Sequence, residues 1–218
     1  MILIGMYDSP FVRRVAVSAS LLGFTFEHRN WSVGKDFERI RQYNPLGRVP
    51  TLVLDSGEAL IESAMILDWL DQQIGPARAL LPPDGDARRK AQHLLALATG
   101  AAEKGIQLVI ERVFRPEDKR HAPWVDRCRL QVHGALKEID RLCEAAVGST
   151  WLLGDAMTQA DVTLACYATY LHDAIPVDLS TYPSLRARVQ RCEELEVFRR
   201  YYIPFDAPVP TEAPVGND

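Results

Sequence analysis

An α/β domain joined to an all-helical domain is the architecture this sequence predicts. Strand-like and helix-like apolar patterns alternate through the first eighty residues. A proline-rich break falls at 81–86, and beyond it every long apolar pattern has helical spacing. At 218 residues the chain is long enough for two domains, each with a core of its own. The expected boundaries are 1–80 for the α/β domain, 81–86 for the linker, 87–206 for the helical domain and 207–218 for a flexible tail rich in proline and small residues.

Residues 2–7 form a short apolar strand that ends at Asp8-Ser9-Pro10. Pro10 suits the first turn of a helix, where its missing N–H costs nothing, and Ser9 suits the cap before it. Val12, Val15, Ala16, Ala19 and Leu22 follow on one helical stripe, with Gly23 as the stop. Residues 24–31 alternate as a strand. A short polar helix is expected at 36–42, closed by Asn44-Pro45-Leu46-Gly47. Strands at 51–54 and 59–61 flank Asp55-Ser56-Gly57, a hairpin signal. Ser63 opens a helix with Met65, Ile66, Trp69 and Leu70 facing inward, so the order is β-α-β-α-β-β-α. Past the linker, helices are expected at 87–114, 124–146, 158–174 and 184–198. Thr158-Gln159-Ala160-Asp161 reads as a capping box for the third of these, with Asp161 in place of the usual Glu or Gln, and its role is in folding.

Composition removes several function classes. Hydrophobic residues make up 47% and charged residues 25%, a balance that argues against extensive disorder. A net charge of −4 offers no electrostatic basis for nucleic acid or an anionic membrane. No apolar run approaches the roughly 18–20 residues that span a bilayer. The apolar N-terminus lacks a basic start and a small-residue cleavage site and runs into Arg13 and Arg14, so it reads as a strand and the cytoplasm as the compartment. Cys128, Cys143, Cys166 and Cys192 form no closely spaced pair and are expected as reduced thiols near helix cores. His28, His93, His121, His133 and His172 form no spaced set, so no metal site is expected.

Four motifs carry a resemblance: Ser9-Pro10-Phe11-Val12-Arg13-Arg14-Val15; Asn44-Pro45-Leu46-Gly47-Arg48-Val49-Pro50-Thr51-Leu52; Glu62-Ser63; and Trp151-Leu152-Leu153-Gly154-Asp155 running into the capping box. In this order, across nearly the whole chain except the tail, they resemble the soluble glutathione S-transferase family of bacterial type. There a thioredoxin-like domain precedes an all-helical one. The resemblance implies glutathione as co-substrate and a cis bond at Val49-Pro50, which turns the Val49 backbone outward to pair with a bound peptide. It also implies that Ser63 takes the γ-glutamyl carboxylate, at a helix start that favours an anion, while Glu62 pairs with the ammonium group.

Catalysis in the family requires the thiolate, since the thiol is a poor nucleophile. A thiol of pKa about 8.5 is only roughly 3% ionised at pH 7, and lowering it by about two units requires ~2.7 kcal/mol. One hydrogen bond to a charged acceptor contributes ~1.5–3 kcal/mol, and a helix N-terminus about 0.3–2 kcal/mol. The Ser9 hydroxyl and the first turn after Pro10 together suffice. Tyr7 is the rival donor, because other branches of the family use a tyrosine at the end of the first strand. Lys35 and Arg48 either hold the glycyl carboxylate or are solvated surface charges. Phe11, Ile110, Glu111, Phe114, Tyr167 and Tyr170 either line a pocket between the domains for a small-molecule electrophile or belong to the core.

The resemblance favours conjugation of an apolar electrophile. Relatives that reduce disulfides through the protein use a cysteine where Ser9 stands, and the first 127 residues contain none. A route through two bound glutathiones stays open, as does a non-catalytic, partner-binding role. A zeta-type isomerase would call for Ser-Ser-Cys where this chain has Asp8-Ser9-Pro10. The family resemblance also implies a homodimer.

Overall fold

The computed structural model describes residues 1–206, and the tail expected at 207–218 lies outside the described residues. In the first half β1 (Ile2–Ile4), α1 (Pro10–Leu21), β2 (Glu27–Arg29), α2 (Phe37–Arg41), β3 (Thr51–Val53), β4 (Ala59–Ile61) and α3 (Ser63–Ile74) follow in the expected order. The sheet runs β2-β1-β3-β4. β1 and β2 are parallel, and the other two pairings are antiparallel. This is the thioredoxin-like arrangement.

The strands are shorter than the apolar runs that signal them. β1 stops at Ile4 because Gly5 turns the chain at φ 132. A Cβ on Gly5 would come within 2.5 Å of the Val12 side chain and 2.8 Å of that of Val49. Glycine here lets the turn between β1 and α1 lie directly against the segment before β3. Helix α3 corrects one expectation. Its buried stripe is Ser63, Ile66, Leu67 and Leu70, at i, i+3, i+4 and i+7, and Met65 falls off it, half exposed.

The second half is α4 (Gly85–Val113), α5 (Ala122–Ala145), α6 (Gln159–Ala174), α7 (Pro183–Glu193) and α8 (Glu196–Arg200). The single helix expected at 184–198 is two. The chain breaks at Leu195, which is extended at φ −78 and ψ 138, with neither glycine nor proline at the break. The break lets Phe198 bury completely and turns its carbonyl onto Arg13. Helix α6 is the axis of the molecule. It is buried along nearly its whole length between α4 and α1, and Gly105 of α4 sits where a Cβ would strike Leu171.

The Asp161 carboxylate accepts from the Thr158 N–H and hydroxyl, both at 2.8 Å, and also from the Leu152 N–H at 2.9 Å. The capping box thus starts α6 and ties down the preceding turn. The two halves join through short polar contacts as well as apolar ones. Asp71 of α3 accepts from the Leu80 and Leu81 N–H groups, and the Gln159 N–H donates to the Leu80 carbonyl at 2.8 Å. All four cysteines are unpaired and buried. Burial pushes the thiols of Cys143 and Cys166 up to about 12, so they stay protonated and inert at neutral pH.

Candidate functional site

The starts of α1 and α3 and the loop before β3 converge at one end of the sheet, where Ile4, Thr51 and Ile61 stand side by side. Ser9 is extended (φ −72, ψ 122) and half-buried, and it caps α1 by accepting the Val12 N–H at 3.4 Å. Its hydroxyl proton has no acceptor among the described residues. The bond between Val49 and Pro50 is cis. Asn44 fixes the loop before it: its amide donates to the Arg48 carbonyl at 2.8 Å and its side-chain oxygen accepts the Leu46 N–H at 3.0 Å. Neither the N–H nor the C=O of Val49 is hydrogen-bonded among the described residues. A backbone segment with both groups free is able to accept a short peptide as an added strand.

At the start of α3, Glu62 holds φ 70, uncommon for a non-glycine residue and costing about 1–3 kcal/mol. That geometry swings its carboxylate back over the helix start, where it accepts from the Ser63 hydroxyl at 2.8 Å and the Ala64 N–H at 3.3 Å. Burial alone would raise the Glu62 pKa. The hydrogen bonds from Ser63 and Ala64 and the charge of Arg14 outweigh it and hold the carboxyl below its ordinary value.

Arg14 is the residue that sequence reasoning missed. Its guanidinium is buried, donates to the Ser63 hydroxyl at 2.7 Å and to Thr163 of α6 at 3.3 Å, and lies over the Tyr167 ring 5.1 Å from its centroid. A positive charge thus sits directly behind the start of α3. Among the described residues the buried Arg14 Nε and Tyr167 hydroxyl have no hydrogen-bond partner. Arg13 points elsewhere. It forms a two-pronged pair with Glu193 of α7, at 2.9 and 2.6 Å, and fastens the domains together. The signal for both is their setting: two arginines in a helix with no exposed side must each find a fixed partner.

The other expected residues divide. The Tyr7 ring stacks on His28 at 3.9 Å and meets Tyr201 edge-on at 5.1 Å, on the β2 side of α1, and burial with the neighbouring Tyr201 pushes its hydroxyl up to about 12. Lys35 and Arg48 are exposed, with no ion pair among the described residues. Phe11 and Tyr167 pack together, ring centroids 5.1 Å apart, both buried. Tyr170 packs edge-on against Phe205 near Asp8, and burial raises its pKa. Ile110 on α4 and Phe114 at its C-terminal cap stand exposed. Glu111 does not join them. It is buried, paired with Arg115 at 2.8 Å, and lines a different cavity. Among the described residues no cluster of His, Cys, Asp or Glu is placed to hold a metal ion.

Comparison with known proteins fits this geometry to a lineage. The family model for the glutathione S-transferase N-terminal domain matches residues 3–78, and that for the glutathione S-transferase C-terminal domain matches residues 122–202. The chain belongs to the glutathione S-transferase family. Among its relatives, the uncharacterized GST-like protein YibF of Escherichia coli K12 is 31% identical, over 78% of this chain and 81% of that protein. A maleylpyruvate isomerase of Ralstonia is 27% identical, over 91% of this chain and 94% of the isomerase. A glutathione S-transferase from Methylobacterium radiotolerans, solved in complex with glutathione sulfonate, superposes with a TM-score of 0.84 and 29% identity, covering 100% of this chain and 98% of the other. No helix among the described residues is long and apolar enough to cross a membrane.

Proposed function

We propose that this chain is a glutathione transferase of the cytoplasm that ionises bound glutathione with Ser9 and delivers its sulfur to an apolar electrophile. One observation carries the reading: free Val49 backbone groups, a helix start bearing Ser63 and Glu62, and an uncommitted Ser9 hydroxyl share one end of the sheet. The charges suit a zwitterion. The start of α3, with Arg14 behind Ser63, takes the γ-glutamyl carboxylate, and the Glu62 carboxylate takes the ammonium. The cysteinyl backbone of the tripeptide pairs with Val49, and this sets the sulfur near the start of α1. Lys35 and Arg48 are the cations available to the glycyl carboxylate.

Ser9 accepts from the Val12 N–H while its own proton goes to the sulfur, so capping and catalysis do not compete. The thiol proton leaves to solvent. The thiolate then forms a bond to the electrophilic carbon as a leaving group departs with its electron pair. Tyr7, held between His28 and Tyr201, is less suited to this part. The acceptor lies between the domains, near the exposed Ile110 and Phe114, while Phe11, Tyr167 and Tyr170 belong to the buried core. Isomerisation by reversible addition of the same thiolate to a double bond is a second reading, favoured by the Ralstonia relative.

Calorimetric titration with glutathione and turnover of a generic aryl halide test the proposal. Ser9→Ala lowers kcat/KM about tenfold to a hundredfold and raises the pKa of the bound thiol, the equivalent of a ~1.5–3 kcal/mol hydrogen bond. Tyr7→Phe stays within about threefold of wild type. No heat with millimolar glutathione, or full activity in Ser9→Ala, defeats the reading. Turnover of maleylpyruvate without consumption of glutathione selects isomerisation. A homodimer is expected as well, and light scattering should return twice the 24.5 kDa chain mass.

A further inference from the structure

The turn between β1 and α1, residues 5–9, carries one charged side chain, Asp8, immediately before Ser9. Consecutive Cα atoms lie about 3.8 Å apart, so the Asp8 carboxylate stays within about 10 Å of the Ser9 hydroxyl in any rotamer. Asp8 is half-buried in a narrow crevice between the start of α1, α6 and the segment 202–205, walled by Tyr7, Tyr170, Tyr202 and Phe205. The crevice holds about 10 Å³, room for about one water molecule. Asp8 is therefore a charge on a wall beside the reacting centre, not the anchor of a pocket.

That carboxylate has no ion pair among the described residues. Burial pushes its pKa up, the Ser9 N–H draws it partly back, and neighbouring Asp206 raises it again; no cation bears on it. A second carboxylate, Asp173, lines the same crevice and accepts from the Tyr202 hydroxyl at 3.1 Å. The nearby cations are turned elsewhere. Arg13 lines the crevice but gives both prongs to Glu193, at 2.9 and 2.6 Å, and a further bond to the Phe198 carbonyl. Arg115, next to Phe114, pairs with Glu111 at 2.8 Å. Arg112 bears on Tyr170, not on Asp8, and donates to the Ala174 carbonyl at 2.7 Å. The surface next to Ser9 thus keeps an unmatched negative charge.

We infer, on the basis of the transferase reading above, that Asp8 sets the charge class of the acceptor: the chain conjugates uncharged or cationic electrophiles and turns away anionic ones. At about 10 Å, one unit charge acts on another by about twofold in water and about fifteenfold near a protein surface. An anionic acceptor meets Asp8 and the thiolate together, with no free cation beside them to offset the repulsion. A cationic acceptor is drawn by both. Maleylpyruvate is a dicarboxylate, so isomerisation of that substrate and this charge preference exclude each other at one site.

Three aryl halides of one skeleton test the preference at low salt: 4-chloro-3-nitrobenzoate, 4-chloro-3-nitrobenzamide and (4-chloro-3-nitrobenzyl)trimethylammonium. Each kcat/KM is divided by the uncatalysed rate with glutathione, which removes differences in intrinsic reactivity. Wild type should favour the ammonium over the benzoate by about tenfold or more, with the amide between them. Asp8→Asn should shrink that preference to within about threefold, and raising the salt should shrink it in wild type. Thermal melts confirm that the variant folds, and Asp8→Ser serves in its place if it melts early. Calorimetry covers the same point without turnover. S-(4-carboxy-2-nitrophenyl)glutathione should bind wild type about fivefold or more weakly than its 4-carbamoyl counterpart, and the two should bind Asp8→Asn alike. Equal use of the three acceptors by wild type, or an unchanged preference in Asp8→Asn, overturns the inference. Heat with glutathione but equal binding of the two conjugates to wild type defeats this inference alone. No heat with glutathione or either conjugate defeats the transferase reading and this inference with it.

Discussion

Around Val49, Glu62 and Ser63 the polar groups are backbone atoms and short side chains at the ends of elements. Around Phe11, Tyr167 and Tyr170 the groups are instead large buried side chains, two of them from α6. The first region is held largely by local hydrogen bonds that Asn44 and Ser63 donate and Asn44 and Glu62 accept, with one long-range bond from Arg14 to Ser63. The second is held by packing between segments far apart in the chain, as in the contacts of Phe11 with Tyr167 and of Tyr170 with Phe205. The first half suits a ligand that never changes, and the two meet at Arg14, which donates to Ser63 and lies over the Tyr167 ring. The contrast predicts that damage to the first region appears in glutathione binding and damage to the second in acceptor use.

The largest effects are expected at the adjacent arginines of α1, which cross between domains in different ways. Arg14→Met removes a buried charge bonded to Ser63 and Thr163, and about 2–4 kcal/mol of stability should go with it. Glutathione affinity should fall about tenfold as well, because the helix start loses its nearest cation. Arg13→Met breaks the pair with Glu193 and the bond to the Phe198 carbonyl, with a comparable loss of stability. Measured well below its melting temperature, it should bind glutathione as wild type does. Urea unfolding and calorimetry on the two variants separate these outcomes. Equal loss of glutathione affinity in both would erase the distinction.

A smaller effect is expected at Glu62. Its carboxyl is held below the ordinary value near 4.5 in the folded chain, so it stabilises the fold above that value. The stabilisation disappears as pH falls through the lowered folded value. Glu62→Gln has no such titration, and its stability should decline less steeply than that of wild type as pH drops from about 5 to about 3. At neutral pH the same variant should bind glutathione up to about fivefold more weakly, the effect of losing an exposed pair with the ammonium. Parallel stability curves for the two proteins would show that Glu62 does not titrate as described.

How much of this was legible in the sequence follows the same division. Ser9 before Pro10, the hairpin at Asp55-Ser56-Gly57 and the Thr158–Asp161 box are all signals within four residues, and the structure contains each as read, while the cis bond at Val49-Pro50 followed from the family resemblance and not from any local pattern. The bond from Arg14 to Ser63 spans 49 residues, and no local pattern announces it. The third partner of Asp161, the Leu152 N–H, depends on a turn closed by Trp151 and Gly154 that brings the chain back. The break at Leu195 carries no breaker residue, and what it achieves is the burial of Phe198. Glu111 and Ile110 are neighbours on α4 and so point about 100° apart, a separation the helical spacing already contains. Residues whose roles need a distant partner were the ones missed.

The smallest effect should come from Phe114, the residue that most directly separates fold from acceptor use. Its ring is 59% exposed, so Phe114→Ser should change stability by no more than about 0.5 kcal/mol. If an apolar acceptor covers part of that ring, each 40 Å² or so shielded from water is worth about 1 kcal/mol. KM for an aryl halide should then rise about three- to fivefold, with kcat and glutathione affinity unchanged. A rise in KM without any shift in glutathione affinity places Phe114 on the acceptor side. A change in glutathione affinity of the same size would mean that the two halves are coupled through α4, and the contrast between the two regions would no longer hold.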